Sequence, residues 1–274
     1  MNDDVEGMND TSLECAAELT LTALTGIKDV EPGDDLARLF ADALRAQGVR
    51  PRDSDVLVVS SKIVAKAEGR YVDLSQVVPS PKALALAEQT HKDPRVVEVI
   101  LWDTEHVSRA GKDVLIVRHV LGHVSANAGL DRSNAERPGA PSGSGPWVLR
   151  LPQDPDASAR ALRAALGEIL GVRIGVVISD SFGRPFRFGT VGVAVGVAGF
   201  PPLWDQRGRH DLYGKPLEHT WTAPADQLAA GCDLLLGQAA ERRAAAWVRG
   251  LRFGENAGAR ATDVCRPAEG DLYL

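Results

Sequence analysis

The chain has 274 residues, 44% of them hydrophobic and 25% charged, and a formal net charge of −6. That composition excludes wholesale disorder, a collagen-like repeat and a disulfide-stapled miniprotein, and it lacks the basic footprint of a nucleic-acid binder. No segment approaches the roughly 18 uninterrupted apolar residues of a membrane-spanning helix.

The acidity is concentrated at the start, where Asp3, Asp4, Glu6 and Asp10 meet no basic residue. Residues 1–12 read as a disordered acidic tail, with neither the basic nor the apolar region of a secretory signal. Cys15, Cys232 and Cys265 form no CxxC pair and read as free thiols of a reducing, cytoplasmic compartment. Residues 18–25 alternate apolar and polar, a strand pattern. Pro32-Gly33-Asp34-Asp35 opens a helix, with Asp34 as its expected N-cap and Leu36, Leu39, Phe40, Ala43 and Leu44 on one face. Residues 55–60, DVLVVS, form a nearly continuous apolar run, the mark of a buried strand.

Helices are expected over 81–90 and 94–100, and a strand over 114–120. Residues 133–147 hold three Pro, three Gly and three Ser and read as a flexible internal loop or lid. A helix over 156–170, capped by Asp154 or Asp156 and ended by Gly171, precedes a second buried strand over 173–179 that ends at Asp180. The three glycines in 191–199 require backbone to pass close to another element or a ligand. A helix over 224–238 and a strand over 244–248 complete the pattern. Mixed helices and strands give an α+β or α/β class, with strand order unreadable.

No P-loop, GxGxxG, HExxH or GxSxG is present. Instead, polar residues follow buried strands, where open sheets place ligands. Ser61, Lys62, Lys66, Glu68 and Arg70 follow the first; Asn127, Asp131, Ser133 and Asn134 stand in the segment ANAGLDRSN; Asp180, Ser181, Gly183, Arg184 and Arg187 stand in DSFGRPFRFG. Asp131 and Asp180 suit a hard divalent cation, and the Lys and Arg residues suit a polyphosphate. Each also has a plainer reading: an Asp after a strand is commonly a cap or turn residue, and Lys62 with Lys66 is commonly one solvated helix face. The six histidines lack metal-ligand spacing.

The ordered set PGDDL, SSKIVAKAEGR, DPRVVEVIL, ANAGLDRSN, ISDSFGRPFRFG, VGVAVGVAG, DLYGKPL and PADQLAAGCDLLLGQA resembles the coenzyme F420-0:γ-glutamyl ligase family in its stand-alone form. The resemblance runs from about residue 18 to 252. It implies one ligase domain over 13–252 with a C-terminal extension over 253–274, and a two-lobed α+β fold that is neither P-loop nor ATP-grasp. It implies a GTP-dependent ligase that adds L-glutamate to the lactyl carboxylate of F420-0, or of a related deazaflavin phosphodiester, and then γ-linked glutamates, through an acyl phosphate. It further implies Mg2+ or Mn2+, up to two per site, K+ as an additional ion, and a homodimer.

Asp131, Asp180, Ser181 and Gln238 match the family's metal positions. Lys62, Lys66, Glu68 and Arg70 are the catalytic candidates; Ser61, Asn127, Gly183, Arg184 and Arg187 are the nucleotide- and substrate-binding candidates. One departure stands out: Val191 and Gly192 occupy positions where many members carry Thr-Asp. That loss keeps open a metal-dependent phosphohydrolase or phosphotransferase, and a non-catalytic deazaflavin-binding paralogue.

Overall fold

The structure, a computed structural model, describes residues 13–14, 17–267 and 270. The expected acidic tail and Cys15 lie outside the described residues. In chain order the main elements are β1 (Leu13–Glu14), β2 (Thr20–Leu24), α1 (Leu36–Ala46), β3 (Val56–Ser60), α2 (Ser61–Ala67), β4 (Tyr71–Asp73), α3 (Pro81–Thr90), α4 (Pro94–Trp102) and β5 (Thr104–Gly111). There follow β6 (Val114–His119), β7 (Val124–Ala126), β8 (Trp147–Leu149), α5 (Pro155–Leu170), β9 (Gly175–Arg184), β10 (Arg187–Ala198), β11 (Trp204–Asp205), β12 (Trp221–Thr222), α6 (Pro224–Leu236), β13 (Ala245–Arg249) and β14 (Arg252–Phe253). The class is α+β. None of the described helices is long and apolar enough to cross a membrane.

The central sheet has the order β10-β9-β3-β13-β2. Only β3 and β9 run parallel; their neighbours are antiparallel. β3 is apolar throughout its first four residues because both faces are covered. Leu57 and Val59 pack with Phe40 and Leu44 of α1 and Leu162 and Leu166 of α5. Val56 and Val58 pack with Leu228 and Cys232 of α6. A second lobe, built on α3, α4 and the three-stranded sheet β5-β6-β7, has its own core around Val97, Ile100, Leu115 and Val117. It enters the chain between α2 and α5.

Two expectations need correction. The N-cap of α1 is Asp35, whose carboxylate accepts from Arg38 N at 3.0 Å. Asp34 instead accepts from Glu31 N at 2.8 Å and from Lys28 Nζ at 2.6 Å. Nor does the strand expected over 173–179 end at Asp180. β9 continues to Arg184 and turns directly into β10, so Asp180 lies within a strand rather than in a loop.

The glycines of β10 are explained by helices. An added Cβ at Gly192 would collide with the Ala229 backbone of α6, and one at Gly196 with the Pro155 backbone of α5. A register shift between Ala194 and Gly196 turns the strand so that each glycine faces a different helix. Each helix also holds β10 with a first-turn carboxylate. Asp226 accepts from Ala194 N at 2.9 Å, and Asp156 from Val197 N at 2.8 Å.

Candidate active site

Asp180 is placed by β9, and Ser61 by the β3–α2 junction. The two meet because β3 and β9 are parallel neighbours, with Ser60 paired to Ser179. Ser61 Oγ donates to Asp180 Oδ1 at 3.0 Å. The residues 127–129 all lie in the left-handed region, at φ 55, 54 and 65. The turn passes so close that an added Cβ on Gly129 would stand 3.2 Å from Asp180 Oδ2 and 2.8 Å from Leu151. A left-handed alanine at 128 is costly for an L-residue, which is the kind of strain found at functional turns. Asp131 follows, locked to Leu149 by a reciprocal backbone pair at 2.9 Å in each direction.

The charge of Asp131 bears on the Asp180 carboxyl. Burial, and then the charge of Asp131, push Asp180 up to about 7. Burial also raises Asp131, opposed by Lys62. Lys62 Nζ lies 3.4 Å from Asp131 Oδ1 and donates to Ser133 O at 3.1 Å. Lys66, one helical turn on, is held below the ordinary lysine value by burial, while Asp131 opposes that shift. Asn127 Oδ1 is buried without a hydrogen-bond partner among the described residues.

Other expected residues are placed differently. Glu68 accepts from Gln153 N at 3.0 Å and from Ser158 Oγ at 2.6 Å, which fixes the start of α5. Arg70 Nε donates to Leu151 O at 2.9 Å beside the Asp103–Arg150 ion pair. Ser181 is half-buried and pairs with Gly192 across the hairpin; alternation along β9 points it away from the face that carries Asp180. Gly183, Arg184 and Arg187 lie in the exposed hairpin tip, where Arg184 Nη2 donates to Phe188 O at 3.4 Å. Gln238 donates to Asp233 Oδ1 at 2.6 Å, just beyond α6. Its loop reaches the Asp131 loop through Asn134 Nδ2, which donates to Ala239 O at 3.0 Å.

The donor set fits a hard cation. Two mutually repelling carboxylates and a hydroxyl present only oxygen, which is what Mg2+ and Mn2+ take. Among the described residues no group of three or more His, Cys, Asp or Glu could hold a metal ion. A cation here would therefore complete its shell with substrate phosphate and water, as Mg2+ commonly does. Beside the carboxylates, Lys62 and Lys66 supply positive charge, and the left-handed turn supplies close backbone.

Comparison with known proteins gives this constellation a family. The family model described as F420-0:Gamma-glutamyl ligase matches residues 26–250. The chain belongs to the F420-0:gamma-glutamyl ligase family. A coenzyme F420:L-glutamate ligase of Methanothermobacter thermautotrophicus is 42% identical over 256 residues, which is 93% of this chain and 98% of that protein. One of Methanopyrus kandleri is 48% identical over 225 residues, covering 82% and 84% of the two chains. In this member of the gamma-glutamyl ligase family the expected Thr-Asp position has a steric explanation: Gly192 lies under the α6 backbone, with no room for a carboxylate.

Of the residues that support the site, Ser133 and Asn134 were visible in the sequence by type but not by contact, since they act through partners far along the chain; Asp233, which holds Gln238 Nε2, carried no signal. The DRSN tetrapeptide was the one available signal, since it places an amide and a carbonyl directly after Asp131.

Proposed function

We propose that this chain forms an amide bond between L-glutamate and the lactyl carboxylate of F420-0 or a related deazaflavin phosphodiester, and then adds γ-linked glutamates. The reaction consumes GTP, uses Mg2+ or Mn2+ with K+ as an additional ion, and runs in a cytoplasmic homodimer. The carrying observation is the Asp131–Asp180 pair: burial and the charge of Asp131 make the Asp180 carboxyl a weaker acid, the Ser61 hydroxyl donates to it, and Lys62 and Lys66 flank Asp131. The names of the relatives support the choice of substrates.

A carboxylate is a poor electrophile, so it is first activated. An oxygen of the acceptor carboxylate bonds to the γ-phosphorus of GTP, and the bond to GDP breaks, leaving an acyl phosphate. The glutamate amine then attacks the acyl carbon; phosphate leaves with the bonding pair, and the amine gives up a proton. Catalysis of the first step is mostly positioning and charge neutralisation. Asp131, Asp180 and Ser61 would hold the cation, which neutralises charge on the transferring phosphoryl group. Lys62 and Lys66 neutralise phosphate oxygens from the α2 side, and Asn127 Oδ1 offers an acceptor to the nucleotide or the amine.

The test is product mass. Protein incubated with F420-0, L-glutamate, Mn2+ or Mg2+, and either GTP or ATP should yield an acceptor one glutamate heavier, best with GTP. Asp131→Asn and Asp180→Asn should each suppress it. GTP turnover without glutamate dependence would instead favour the phosphohydrolase. Deazaflavin binding that is indifferent to metal, without product, would favour the non-catalytic paralogue.

A further inference from the structure

The strand pair β6–β7 turns polar side chains inward where a core would place apolar ones. Val117 pairs with Ser125, and His119 N donates to His123 O at 2.8 Å, so His119, His123 and Ser125 share the face of the buried Leu115 and Val117. His119 is 3% exposed and Ser125 6%, while the alternate residues Val124 and Ala126 are exposed. The Nε2 atoms of both histidines, Ser125 Oγ and, two residues on, Asn127 Oδ1 are buried with no hydrogen-bond partner among the described residues. A buried polar group left unpaired costs free energy, so four in one stretch point to a ligand. Both ends of the stretch abut β9. The His123 ring lies 5.1 Å from that of Phe182, and a Cβ on Gly129 would stand 3.2 Å from Asp180 Oδ2. Ser125 and Asn127 lie between these two contacts in the chain.

Leu121 N donates to His119 Nδ1 at 2.9 Å, so the neutral ring carries its proton on Nε2 and that atom is a donor. Burial holds His119 below the ordinary histidine value, and the charges that act on it are those of Asp103, Arg150 and Arg70. Asp103 is closed in a two-point pair with Arg150. Arg70 Nε donates to Leu151 O, and its two terminal nitrogens make no hydrogen bond or ion pair among the described residues. Glu68, the other carboxylate that acts on Arg70, is engaged by Gln153 and Ser158. N–H and O–H donors in the field of an uncompensated guanidinium suit a carboxylate. We propose that the inward face of β6–β7 is the subsite for the incoming L-glutamate: His119 Nε2 and Ser125 Oγ donate to one of its carboxylates, Arg70 supplies the countercharge, and Asn127 Oδ1 accepts from the amine beside Asp180. The proposal rests on the reading of the chain as a glutamate ligase. The depth of His119 and Ser125 suits a compact amino acid rather than a deazaflavin phosphodiester, and the lysines suited to nucleotide phosphate stand with Asp131.

The experiment measures initial rates of product formation by mass, varying L-glutamate, F420-0 and GTP in turn, with circular dichroism to check folding. His119→Asn keeps an acceptor for Leu121 N and loses the Nε2 donor; Ser125→Ala loses one unpartnered oxygen. Each should raise KM for L-glutamate about 10–100-fold, as for a lost hydrogen bond to an ionised group, and leave KM for F420-0 and GTP within about threefold of the parent chain. His119→Gln, whose amide N–H can take the place of Nε2–H, should return KM for L-glutamate to within about fivefold. Without glutamate, the thermal midpoint of Ser125→Ala should be no lower than the parent's, because the oxygen it removes is unpaired. A raised KM for F420-0 in place of L-glutamate would give the face to the acceptor's carboxylate and overturn the inference. Unchanged KM values for all three substrates in folded Ser125→Ala and His119→Asn would overturn it too, with the ligase reading intact. A parent chain that makes no glutamylated product with any nucleotide or metal would instead remove the ligase reading, and the inference with it.

Discussion

The Ser61 hydroxyl bonds Asp180 Oδ1 at 3.0 Å, joining the first residue of α2 to a carboxyl that burial and Asp131 push up to about 7. An unfolded aspartate titrates near 4. The metal-free fold therefore keeps a proton that the unfolded chain has already released between those values. This contribution to stability is complete below about pH 4 and is lost as pH rises through about 7. Asp180→Asn removes the loss. In chelator, its unfolding free energy at pH 8 should exceed that of the parent chain by up to about 4 kcal/mol, while product formation falls more than about a hundredfold. A destabilised Asp180→Asn at pH 8 would contradict the picture of a carboxylate kept costly for the sake of a cation.

The opposite pH limb belongs to the second lobe. His119 and His123 stack with ring centroids 4.8 Å apart, and His123 meets Phe182 of β9 at 5.1 Å. Burial, with a smaller contribution from His119, pushes His123 down to about 3. The unfolded imidazole charges near pH 6.5 while the folded one stays neutral. Stability from His123 is thus full above about 6.5 and is lost as pH falls toward 3. His123→Phe keeps a ring against Phe182 and removes the titration. Between pH 6.5 and 4.5 the parent chain should lose about 2–3 kcal/mol relative to this variant in urea unfolding. Parallel curves would exclude His123 from the acid limb.

Position 192 offers a steric prediction. If the missing carboxylate were simply a lost ligand, Gly192→Asp would restore it. The α6 backbone at Ala229 stands where the new Cβ would go. Forcing atoms into a packed contact costs about 1–3 kcal/mol or more. Gly192→Asp should therefore lower the thermal midpoint by many degrees and bring no gain in activity. A variant of parental stability would show that α6 yields easily.

Much of the architecture was readable from local pattern. β3 showed as an apolar run because it is covered on both faces, and α5 showed because Asp154 caps it and Gly171 ends it at φ 70. β5 was missed: its residues TEHVSRAG are all half-buried or exposed, so no period marks a buried face. The extension of β9 past Asp180 was missed because Gly183 and Pro185 look like the end of a strand, not the tip of a long hairpin. Within the site, Asp131 and Asp180 were legible as residue types. That Glu68 binds Gln153 and Ser158, 85 and 90 residues away, was not, since only the folded chain brings them together.

Those Glu68 contacts separate two roles. If Glu68 accepted the amine proton, Glu68→Gln would cut kcat by about 10²–10⁴-fold, the usual range for general acid–base catalysis. Both of its oxygens are engaged by the start of α5, so its main effect should be on stability. Glu68→Ala should cost about 0.5–1.5 kcal/mol, the usual net worth of an intramolecular hydrogen bond whose partners water can reach, with kcat in the surviving folded protein within about tenfold of the parent. Glu68→Gln, which keeps one acceptor oxygen, should lie between. A stable Glu68→Gln with kcat reduced a hundredfold would return Glu68 to the chemistry.

The proposed homodimer has a candidate contact in the β9–β10 hairpin, whose tip leaves the sheet and carries Phe186 and Phe188 almost wholly exposed. Leu212 and Tyr213 are exposed to the same degree between β11 and β12. Large apolar side chains left in water at projecting tips mark association surfaces, and each one buried on association contributes about 1.5–3 kcal/mol. The parent chain should elute as a dimer at micromolar concentration in light-scattering chromatography. Phe188→Asp should yield a monomer with an unchanged circular dichroism spectrum, because its side chain is fully exposed at the hairpin tip. A monomeric parent chain, or a dimer that survives this substitution, would mean that association does not run through this hairpin.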